Sequence, residues 1–493
     1  MKIQMRAISI MLVCVLAGLS IQGCSKSEEG GGQVTDGGAG QKKEPVKEAE
    51  EDVYPENGLP KNEKVTLKFG FFDAGMGREW FDYAVDTFKQ KFPNVDFAIT
   101  YSPTIDQIIQ TKIAAGDDED MFDMFNSTIP GGTKAMAPLV KANKLEPTED
   151  LWDSKVYDAN GKTVRELSAD GIEKSAPRIL GKTYDFPIAG TGAGLFFDKT
   201  LFEQNGWNQN PKTWNEFVQL LEDIKTKGLI PITYPGVYPN YLENAFGPWK
   251  LFELAENNGN LQQFEDNYRN FKLPEYMSPE MQELWKRIYE LGQKGYFPEG
   301  VAALDHTQSQ MQVLQHQAAM VSTGSWVENE MKDSTPEGFK WGFMAVPMGD
   351  TAGSTIWTRS SSRSGSYIWA AKPELNKKWA KQFSLWMWNM DIQQLIAEKG
   401  GQLPLRKDFA DDPVRAEKLQ DVSKAMLEYM KNNKVMGESS FRNVTLTDPA
   451  YSNAVDIYYN MITEVTSGKL DPIPKLQEAE ELMKKAVAAQ GGQ

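Results

Sequence analysis

The chain is predicted to be an α/β protein built on mostly parallel sheets, because strand-like and helix-like segments alternate from Val65 onward. The segment "VTLKFGFF" (65–72) reads as a buried strand, and "GREWFDYAVDTFKQKF" follows it. That second segment places Trp80, Phe81 and Phe88 on one helical stripe. The 493 residues are enough for two to four domains or for two large lobes.

The rest of the chain continues this alternation. The expected elements are a strand at 95–101, a helix from Ile105, a strand at 121–126, and short strands at 318–323, 340–347 and 366–371. Two longer helices carry start signals: Thr213 followed by Glu216 resembles a capping box, and Ser278-Pro279 opens the other. After Glu374 the chain is expected to be largely helical.

Composition excludes several classes of function. The net charge is −15 and no basic stripe occurs, which argues against a nucleic-acid partner. The only cysteines are Cys14 and Cys24, and the two histidines, His306 and His316, lack a third ligand, so neither a disulfide in the folded part nor a zinc site is expected. The acidic stretch "GDDED" (116–120) lacks the ligand spacing of a calcium loop and is expected to be a solvated turn. No cofactor and no metal is predicted.

The N-terminus predicts export. A thirteen-residue apolar segment, Ala7–Leu19, is too short to span a membrane and suits the core of a signal peptide. The residues before Cys24 resemble the lipobox of bacterial lipoproteins, although Gln22 departs from its pattern. Residues 1–23 are therefore expected to be a lipoprotein signal peptide and Cys24 a lipidated residue; the alternative is a secreted protein with an incidental cysteine. Residues 24–63 are polar and rich in glycine, which predicts a disordered tether.

Several stretches resemble one known family. They are "GKTYDFPIAGTGAGLFFDKTLFEQNGWNQNPKTWNEF" (181–217), "MQVLQHQAAMVSTGSW" (311–326), "GGQLPLRKDF" (400–409), and "MFDMFN" with the later "LVKANKLEPTEDL". In this order they resemble the extracellular solute-binding proteins of carbohydrate ABC importers, the family 1 group that includes maltose-binding protein. "PMGDTAG" (347–353) is also similar to a subgroup common in Gram-positive soil bacteria.

The resemblance implies a periplasmic-binding-protein-like fold of two α/β lobes joined by three hinge crossings. The crossings are expected near 188–192, near 370–372 and after Gly401. The implied N-lobe comprises residues 64–188 and 371–403, and the implied C-lobe comprises residues 189–370 and 404–493. The glycine-rich "GTGAG" (190–194) suits a flexible crossing and does not fit a dinucleotide-binding G-x-G-x-x-G.

Polar candidates for ligand binding lie where strands end, because ligands of open α/β sheets sit beyond the carboxyl ends of the strands. Asp73 follows the first predicted strand, and Asn126 and Ser127 follow the third. Asp185 immediately precedes the first expected crossing. Carboxylates, amides and guanidinium groups form the paired hydrogen bonds that sugar hydroxyls require.

Aromatic candidates would face the apolar side of a sugar ring. Trp326, with Ser325 beside it, lies at a strand-to-helix turn where the resembled family places a stacking aromatic; core packing is the alternative. Trp249 and Tyr238 lie in the aromatic loop "YPGVYPNYLENAFGPWK" and suit either the cleft or the core.

Two arginines complete the candidate ligand site. Arg363 precedes a predicted strand, where it would reach the cleft or remain in a solvated loop. Arg406 lies in "LPLR" and would serve the hinge or the ligand.

The resemblance implies capture of a sugar, with an oligosaccharide favoured, and delivery to the permease subunits of an ABC importer. The protein is expected to be a monomer, attached through Cys24 to the outer face of a Gram-positive cell membrane. A secreted glycoside hydrolase is the first alternative, since it needs only two carboxylates about 5 to 9 Å apart. A surface adhesion protein is the second. No Ser-His-Asp arrangement and no P-loop is recognisable, and no enzymatic activity is expected.

Overall fold

The computed structural model describes residues 52–73, 76–126, 133–169, 172–359 and 365–490. Three residues with predicted roles lie outside the described residues: Cys24, Ser127 and Arg363. The predicted tether up to residue 51 lies outside them as well. Within the described part, the chain forms two separate four-stranded sheets, each with its own hydrophobic core. We call the sheets with the elements packed on them the first and the second lobe.

The first lobe opens with strand–helix alternation, as the sequence predicts. Its elements up to residue 183 are β1 (Val65–Phe72), α1 (Glu79–Lys91), β2 (Val95–Ser102), α2 (Ile105–Ala115), β3 (Met124–Phe125), α3 (Thr133–Lys141), a 3-10 turn (Glu149–Asp153), α4 (Val164–Leu167), α5 (Ile172–Ser175), β4 (Arg178–Ile179) and β5 (Lys182–Thr183). The predicted strands at 65–72 and 95–101 and the helix from Ile105 are confirmed, while the third strand is reduced to two residues.

The second lobe occupies the middle of the chain. Its elements are β6 (Ala193–Asp198), α6 (Lys199–Asn205), α7 (Trp214–Thr226), β7 (Ile230–Thr233), a 3-10 turn (Pro239–Leu242), α8 (Glu243–Phe246), α9 (Trp249–Asn257), α10 (Leu261–Arg269), α11 (Pro279–Gln293), a 3-10 turn (Val301–Ala303), α12 (His306–Leu314), β8 (Ala318–Gly324), α13 (Val327–Met331), β9 (Trp341–Met344) and β10 (Ile356–Arg359). The start signals of α7 and α11 are confirmed, because the Thr213 and Ser278 side chains accept hydrogen bonds from the N–H groups of Glu216 and Met281.

The remaining part of the chain contributes elements to both lobes. Its elements are β11 (Tyr367–Ile368), α14 (Glu374–Trp386), α15 (Met390–Gly400), a 3-10 turn (Lys407–Asp411), α16 (Pro413–Glu417), α17 (Asp421–Asn432), β12 (Val435–Glu438), α18 (Pro449–Thr466) and α19 (Pro472–Gln490). This part is largely helical, as expected.

Strand direction differs between the two sheets. In the first sheet, ordered β11-β3-β1-β2, β1 is parallel to β2 and β3. In the second, ordered β7-β8-β6-β9, β6 is antiparallel to both β8 and β9, and only β7 and β8 are parallel. The expectation of mostly parallel sheets therefore describes the first sheet but not the second. The reason is that the chain enters β6 from the other lobe, so β6 begins at the edge where its neighbours end; β11, antiparallel to β3, is entered in the same way.

The core of the first lobe shows why these sequences form these elements. Phe69 and Phe71 of β1 are fully buried and pack their rings 4.7 and 4.0 Å from that of Phe81 on α1. Phe383 of α14 completes this cluster, with its ring 6.1 Å from that of Phe69 and 6.0 Å from that of Phe81. Burying one phenylalanine stabilises the folded state by about 1.5–3 kcal/mol, so the apolar stripe predicted for α1 holds the helix on the sheet.

The segment before β1 is folded, which corrects the predicted extent of the tether. Val53 and Pro60 form a β-bridge, and Leu59 is buried. The ring of Tyr54 lies edge-on at 4.9 Å from Phe92, and its hydroxyl donates to Asn94 Oδ1 at 2.8 Å. Residues 52–63 therefore belong to the first lobe, because their few apolar side chains find a core to enter.

Three passages of the chain run side by side between the sheets. Phe186 and Ser366 exchange backbone hydrogen bonds of 3.1 and 2.8 Å, and Gly190 and Leu403 exchange bonds of 2.8 and 2.7 Å. We call residues 186–190, 366 and 403 the crossing ribbon.

Two of the expected lobe boundaries shift. Because β11 pairs with β3 of the first sheet, the second crossing lies before Tyr367 and not at 370–372. Leu403 pairs with Gly190 in the crossing ribbon, but Leu405 still packs with Trp152 and Trp388 in the first lobe, so the chain reaches the second lobe only between Leu405 and Val422, which packs in that lobe's core. Short loops near a hinge carry no periodicity from which such boundaries could be read.

Candidate functional site

Two predicted site residues lie directly after strands of the first sheet. On the first sheet, Asp73 follows β1 and is partly buried. Asn126 follows β3 and is 4% exposed; its Oδ1 accepts a hydrogen bond from the N–H of Phe72 at 2.9 Å. The Asn126 side chain therefore joins β3 to β1, which leaves Asp73 as the candidate of this pair that faces solvent.

Asp185 forms a polar corner at the start of the crossing ribbon. Its Oδ2 accepts a hydrogen bond from the Tyr367 hydroxyl at 3.0 Å, and its buried Oδ1 has no partner among the described residues. A Cβ on Gly365 would lie 1.4 Å from Oδ1, so the carboxyl group fills the space above that glycine. Burial raises the pKa of Asp185 to about 7, and the Tyr367 hydrogen bond acts against this shift. The group can thus donate or accept a proton near neutral pH.

Four aromatic side chains of the second lobe form a continuous series, which we call the aromatic row: Trp326, Tyr241, His306 and Tyr238. Ring centroids are 6.5 Å apart between Trp326 and Tyr241, 4.5 Å between Tyr241 and His306, and 4.2 Å between His306 and Tyr238. The last pair is stacked, with an interplanar angle of 19°. Such pairs add about 0.5–1.5 kcal/mol each beyond area burial.

His306 is held within the aromatic row. It is the first residue of α12, but Asp305 is the cap, and the imidazole lies between two tyrosine rings. Its Nε2 is buried without a hydrogen-bond partner among the described residues. Burial lowers the pKa of His306, which favours the neutral ring.

The loop that carries Tyr238 is held by backbone contacts. Val237 N–H donates to the Leu304 carbonyl at 3.1 Å. A Cβ on Gly236 would lie 2.2 Å from the Val301 carbonyl oxygen, so only glycine permits this approach of two backbones. The position of the Tyr238 backbone is therefore fixed relative to the turn before α12.

Trp326 lies at the end of β8, beside the crossing ribbon. Its indole folds back over Gly324, where a Cβ would come within 2.1 Å of the ring. The residue is partly exposed, and the N–H of the preceding Ser325 donates to the Gly192 carbonyl at 2.9 Å. Trp326 is therefore partly exposed at the turn after β8, while Ser325 is fully buried.

The side chains of two other predicted site residues are buried in the protein interior. Trp249 is 6% exposed and packs in the second-lobe core, with the Arg359 guanidinium 5.9 Å from its ring centroid. Arg406 is buried; it donates to Asp158 at 2.6 Å and to Asp408 at 2.8 and 2.9 Å. Of the two roles open to Arg406, this geometry supports the one near the hinge.

A cavity of about 640 Å³ opens between the lobes. The first lobe contributes Ala137, Pro138 and Lys141 from α3 and Arg178 from β4. The second lobe contributes aromatic and polar side chains, among them Glu243, Phe441, Arg442, Tyr451 and Tyr459. A volume in the range of small-molecule sites, walled by rings with a few polar groups, is what a ligand pocket requires.

Glu243 is the central polar group of this wall. The Tyr459 hydroxyl donates to its Oε2 at 3.2 Å. Burial raises the pKa of Glu243 to about 7, while hydrogen bonds from Tyr459 and Tyr458 and the charge of Arg359 lower it. Arg359 is itself oriented by donating to Asn244 Oδ1 at 3.1 Å. Near neutral pH, Glu243 is able to donate to one hydroxyl and accept from another.

Arg442 is fixed by aromatic packing. Its guanidinium lies 3.3 Å from the ring centroid of Tyr268 and 4.3 Å from that of Phe271, and it pairs with Glu275. This cation–π and ionic contact holds the loop after β12 against the cavity.

Sequence reasoning missed Glu243, Arg442, Tyr451 and Tyr459. Glu243 lay inside the aromatic loop that was singled out, where an acid among apolar residues was the available signal. The α18 tyrosines occur at helical spacing, which indicates an amphipathic helix and says nothing about a cavity.

The described part of the chain holds no group of three or more His, Cys, Asp or Glu side chains arranged to bind a metal ion. None of its helices has the length and apolar character of a membrane span. The acidic turn at 116–120 is held by lysines, with Asp118 paired to Lys144 at 2.7 Å.

Comparison with known proteins decides the family. The model of the bacterial extracellular solute-binding proteins matches residues 75–394, well over half of the chain. The chain belongs to this family. Its members are binding proteins, and the resemblance found in the sequence motifs is confirmed.

Two curated relatives of this solute-binding protein bind sugars. The diacetylchitobiose binding protein NgcE of Streptomyces coelicolor is 25% identical over 276 residues, which are 56% of this chain and 55% of NgcE. A multiple sugar-binding protein of Streptococcus mutans is 21% identical over 294 residues, 58% of this chain and 63% of that protein. The chain thus spans less than two thirds of each of these relatives.

A solved structure shows the fold. A chitin oligosaccharide binding protein superposes with a TM-score of 0.62 at 20% identity, covering 86% of this chain and 99% of that chain. The two-lobed architecture of solute-binding proteins is therefore the architecture of this chain.

Proposed function

We propose that this protein is the extracellular substrate-binding component of an ABC importer, which captures an oligosaccharide between its lobes and delivers it to membrane permease subunits. The observation that carries the proposal is the cavity lined by both lobes. A ligand in that position contacts both halves at once, so binding stabilises the closed state over the open one.

The chemistry of the walls supports a sugar. In the cavity wall, Tyr451 and Tyr459 offer aromatic faces for the apolar side of a pyranose ring. Glu243, whose pKa burial raises to about 7, offers a group that donates and accepts at neutral pH. Trp326 and Asp185 lie outside this lining and are proposed as ligand contacts near the crossing ribbon. A set of aromatic faces and proton-sharing carboxyls suits neutral hydroxyl groups better than it suits a peptide or a metal ion.

The ligand residues that we propose are Glu243, which lines the cavity, and four sequence candidates whose side chains are not wholly buried: Asp73, Asp185, Tyr238 and Trp326. Ser127 and Arg363 remain candidates by sequence alone. Asn126, Trp249, Ser325 and Arg406 are assigned to the scaffold because their side chains are buried or engaged within the protein.

Chito-oligosaccharides are the first ligands to test, since NgcE and the chitin oligosaccharide binding protein are named for them. Isothermal titration with chito-, malto- and xylo-oligosaccharides, from disaccharide to hexasaccharide, tests the proposal directly. Saturation of one class at micromolar or tighter affinity, with a rise in melting temperature, is the expected result. Ligand at one hundred times its dissociation constant stabilises by about 2.7 kcal/mol. Failure of every sugar, together with a shift from a peptide library, would refute the assignment.

Incubation of the same sugars with the protein separates binding from catalysis. We expect their chain lengths to remain unchanged on chromatography. Appearance of shorter products would favour the glycoside hydrolase, for which Glu243 would be the proton donor. Binding restricted to insoluble polymer, with no affinity for short oligosaccharides, would favour a surface adhesion protein.

We further propose that the protein is a monomer anchored by diacylglycerol on Cys24 to the outer face of a Gram-positive cell membrane. The lipobox-like residues and the polar stretch after them support the anchor. A Cys24→Ser variant is expected to appear in the culture medium, while the wild type stays in the membrane fraction and incorporates a labelled fatty acid. Equal release of both proteins would contradict the anchor.

A further inference from the structure

The irregular loop between β12 and α18, residues 439–448, forms part of the wall of the cavity between the lobes. Residues 439–442 and 444–448 line that cavity. Ser440 has a backbone φ of +59°, in the left-handed region that residues other than glycine rarely adopt. A loop that contains such a residue keeps its shape only where the surrounding structure holds it.

Two arginines hold this loop in a reciprocal arrangement, which we call the arginine clasp: Arg269 of α10 and Arg442 of the loop. Arg269 donates to the Phe441 carbonyl at 2.9 Å, and its guanidinium lies 3.9 Å from the Phe441 ring centroid. Arg442 donates in return to the Tyr268 carbonyl and covers the Tyr268 ring. Each arginine therefore binds the residue that precedes the other. The backbones are joined as well, because the Asn443 N–H donates to the Arg269 carbonyl at 2.8 Å.

Two carboxylates complete the arginine clasp. Arg269 donates to Glu438 at 2.6 Å, and Arg442 donates to Glu275 at 3.1 Å. Glu438 also accepts a hydrogen bond from the Ser440 N–H at 2.5 Å. The carboxylate that orients Arg269 therefore also holds the residue with the left-handed backbone.

The two arginines differ in their relation to the cavity. Arg442 is part of its lining, whereas Arg269 lies behind the loop, outside the lining, and is 5% exposed. A ligand in the cavity is therefore separated from Arg269 by the loop. Any effect of Arg269 on ligand binding has to pass through the position of residues 439–448.

We propose that Arg269 is a positioning residue for ligand binding, which holds residues 439–448 in the shape that lines the cavity and thereby sets the affinity for the oligosaccharide. This inference rests on the function proposed above. A loop that takes its binding shape only part of the time raises the apparent dissociation constant in proportion. A loop that is already in place loses little conformational entropy when the ligand binds.

The test measures sugar affinity by titration and amide hydrogen exchange of residues 439–448, with a sugar that the wild type binds. Arg269→Met keeps an apolar stem and removes the hydrogen-bond donors. It is expected to weaken the sugar about tenfold, as for a loop in its binding shape about one tenth of the time, and to speed exchange in the loop. Arg269→Lys keeps the charge but not the planar fork that reaches Glu438 and Phe441 together, so an intermediate affinity is expected.

Arg287→Met is the matched control in the same lobe. Arg287 of α11 donates to the Met348 carbonyl and to Glu283, each at 2.8 Å, and its guanidinium lies 5.0 Å from the Trp214 ring centroid. These are the same kinds of contact as those of Arg269, and Arg287 also lies outside the cavity lining. Its loss is expected to lower the melting temperature without changing sugar affinity or exchange in residues 439–448.

The outcomes separate this inference from the proposed function. Unchanged affinity in Arg269→Met, beside a wild type that binds, would overturn the inference alone. Equal weakening by Arg269→Met and Arg287→Met would also overturn it, because a general loss of stability would explain both. If Arg269→Met does not fold, Glu438→Gln and Arg269→Lys take its place, and unchanged affinity in both would overturn the inference. Absence of binding by the wild type to any sugar would refute the proposed function, and the role of Arg269 in affinity with it.

Discussion

The Glu243 carboxyl predicts how stability changes with pH. Its pKa is about 7 in the folded protein against 4.5 for an ordinary glutamate, and burial is the main cause. Below pH 4.5 the carboxyl group is protonated in both the folded and the unfolded protein, so it does not change the free energy of unfolding. Between pH 4.5 and pH 7 it ionises in the unfolded chain but stays protonated in the folded protein. The free energy of unfolding therefore falls by about 1.4 kcal/mol per pH unit in this range and levels off above pH 7. The total loss is about 3 kcal/mol.

Glu243→Gln removes this ionisation while keeping a side chain that can accept the Tyr459 hydrogen bond. The free energy of unfolding is measured by urea denaturation between about pH 4.5 and pH 8. The variant is expected to gain about 3 kcal/mol over the wild type across that range. Asp185, whose pKa burial also raises to about 7, is present in both proteins and cancels in the difference.

Glu299→Gln is the matched control, because it removes one exposed carboxyl group from the same lobe. It reports what the loss of a negative charge does by itself. A Glu243→Gln difference that stays constant with pH, or that grows toward acid, would refute the reasoning.

Three further predictions concern Trp326, the buried pair Lys250–Glu253 of α9, and Arg406. Trp326→Ala is expected to weaken sugar binding by about 2 kcal/mol or more in titration while the melting temperature holds; unfolding would instead return Trp326 to the core. Lys250→Met removes the buried ammonium group that donates to Glu253 at 2.8 Å, and the free energy of unfolding is expected to fall by about 3 kcal/mol. The double variant Lys250→Met/Glu253→Gln is expected to restore part of this loss. A loss below about 1 kcal/mol in the single variant would contradict the prediction. Arg406→Gln breaks two ion pairs and is expected to lower stability by about 2–3 kcal/mol with unchanged sugar affinity, so a loss of affinity alone would make Arg406 a ligand residue.

Local sequence patterns predicted helices correctly. The stripe of Trp80, Phe81 and Phe88 and the Ser278-Pro279 start signal each correspond to an observed helix. Trp326 was chosen because the resembled family places a stacking aromatic at this strand-to-helix turn, and β8 does end at Gly324, just before it. Such signals depend only on neighbours in sequence.

Long-range packing could not be read in the same way. Glu243 and Arg442 reach one cavity from distant parts of the chain, and no spacing rule joins them. The folded state of residues 52–63 was missed because two apolar residues, Tyr54 and Leu59, suffice to anchor a segment whose composition is otherwise that of a tether. The direction of β6 was missed because alternation of strands and helices does not reveal which strand is entered from another lobe.

The crossing ribbon limits how the halves of the molecule can travel. The passages at Ser366 and Leu403 are each joined to the central passage, residues 186–190, by a reciprocal pair of backbone hydrogen bonds. Independent wagging of any single passage would break such a pair, so the three must flex as a unit. If the lobes close on a ligand as proposed, a hinge whose three passages move together loses less conformational entropy than three independent passages would.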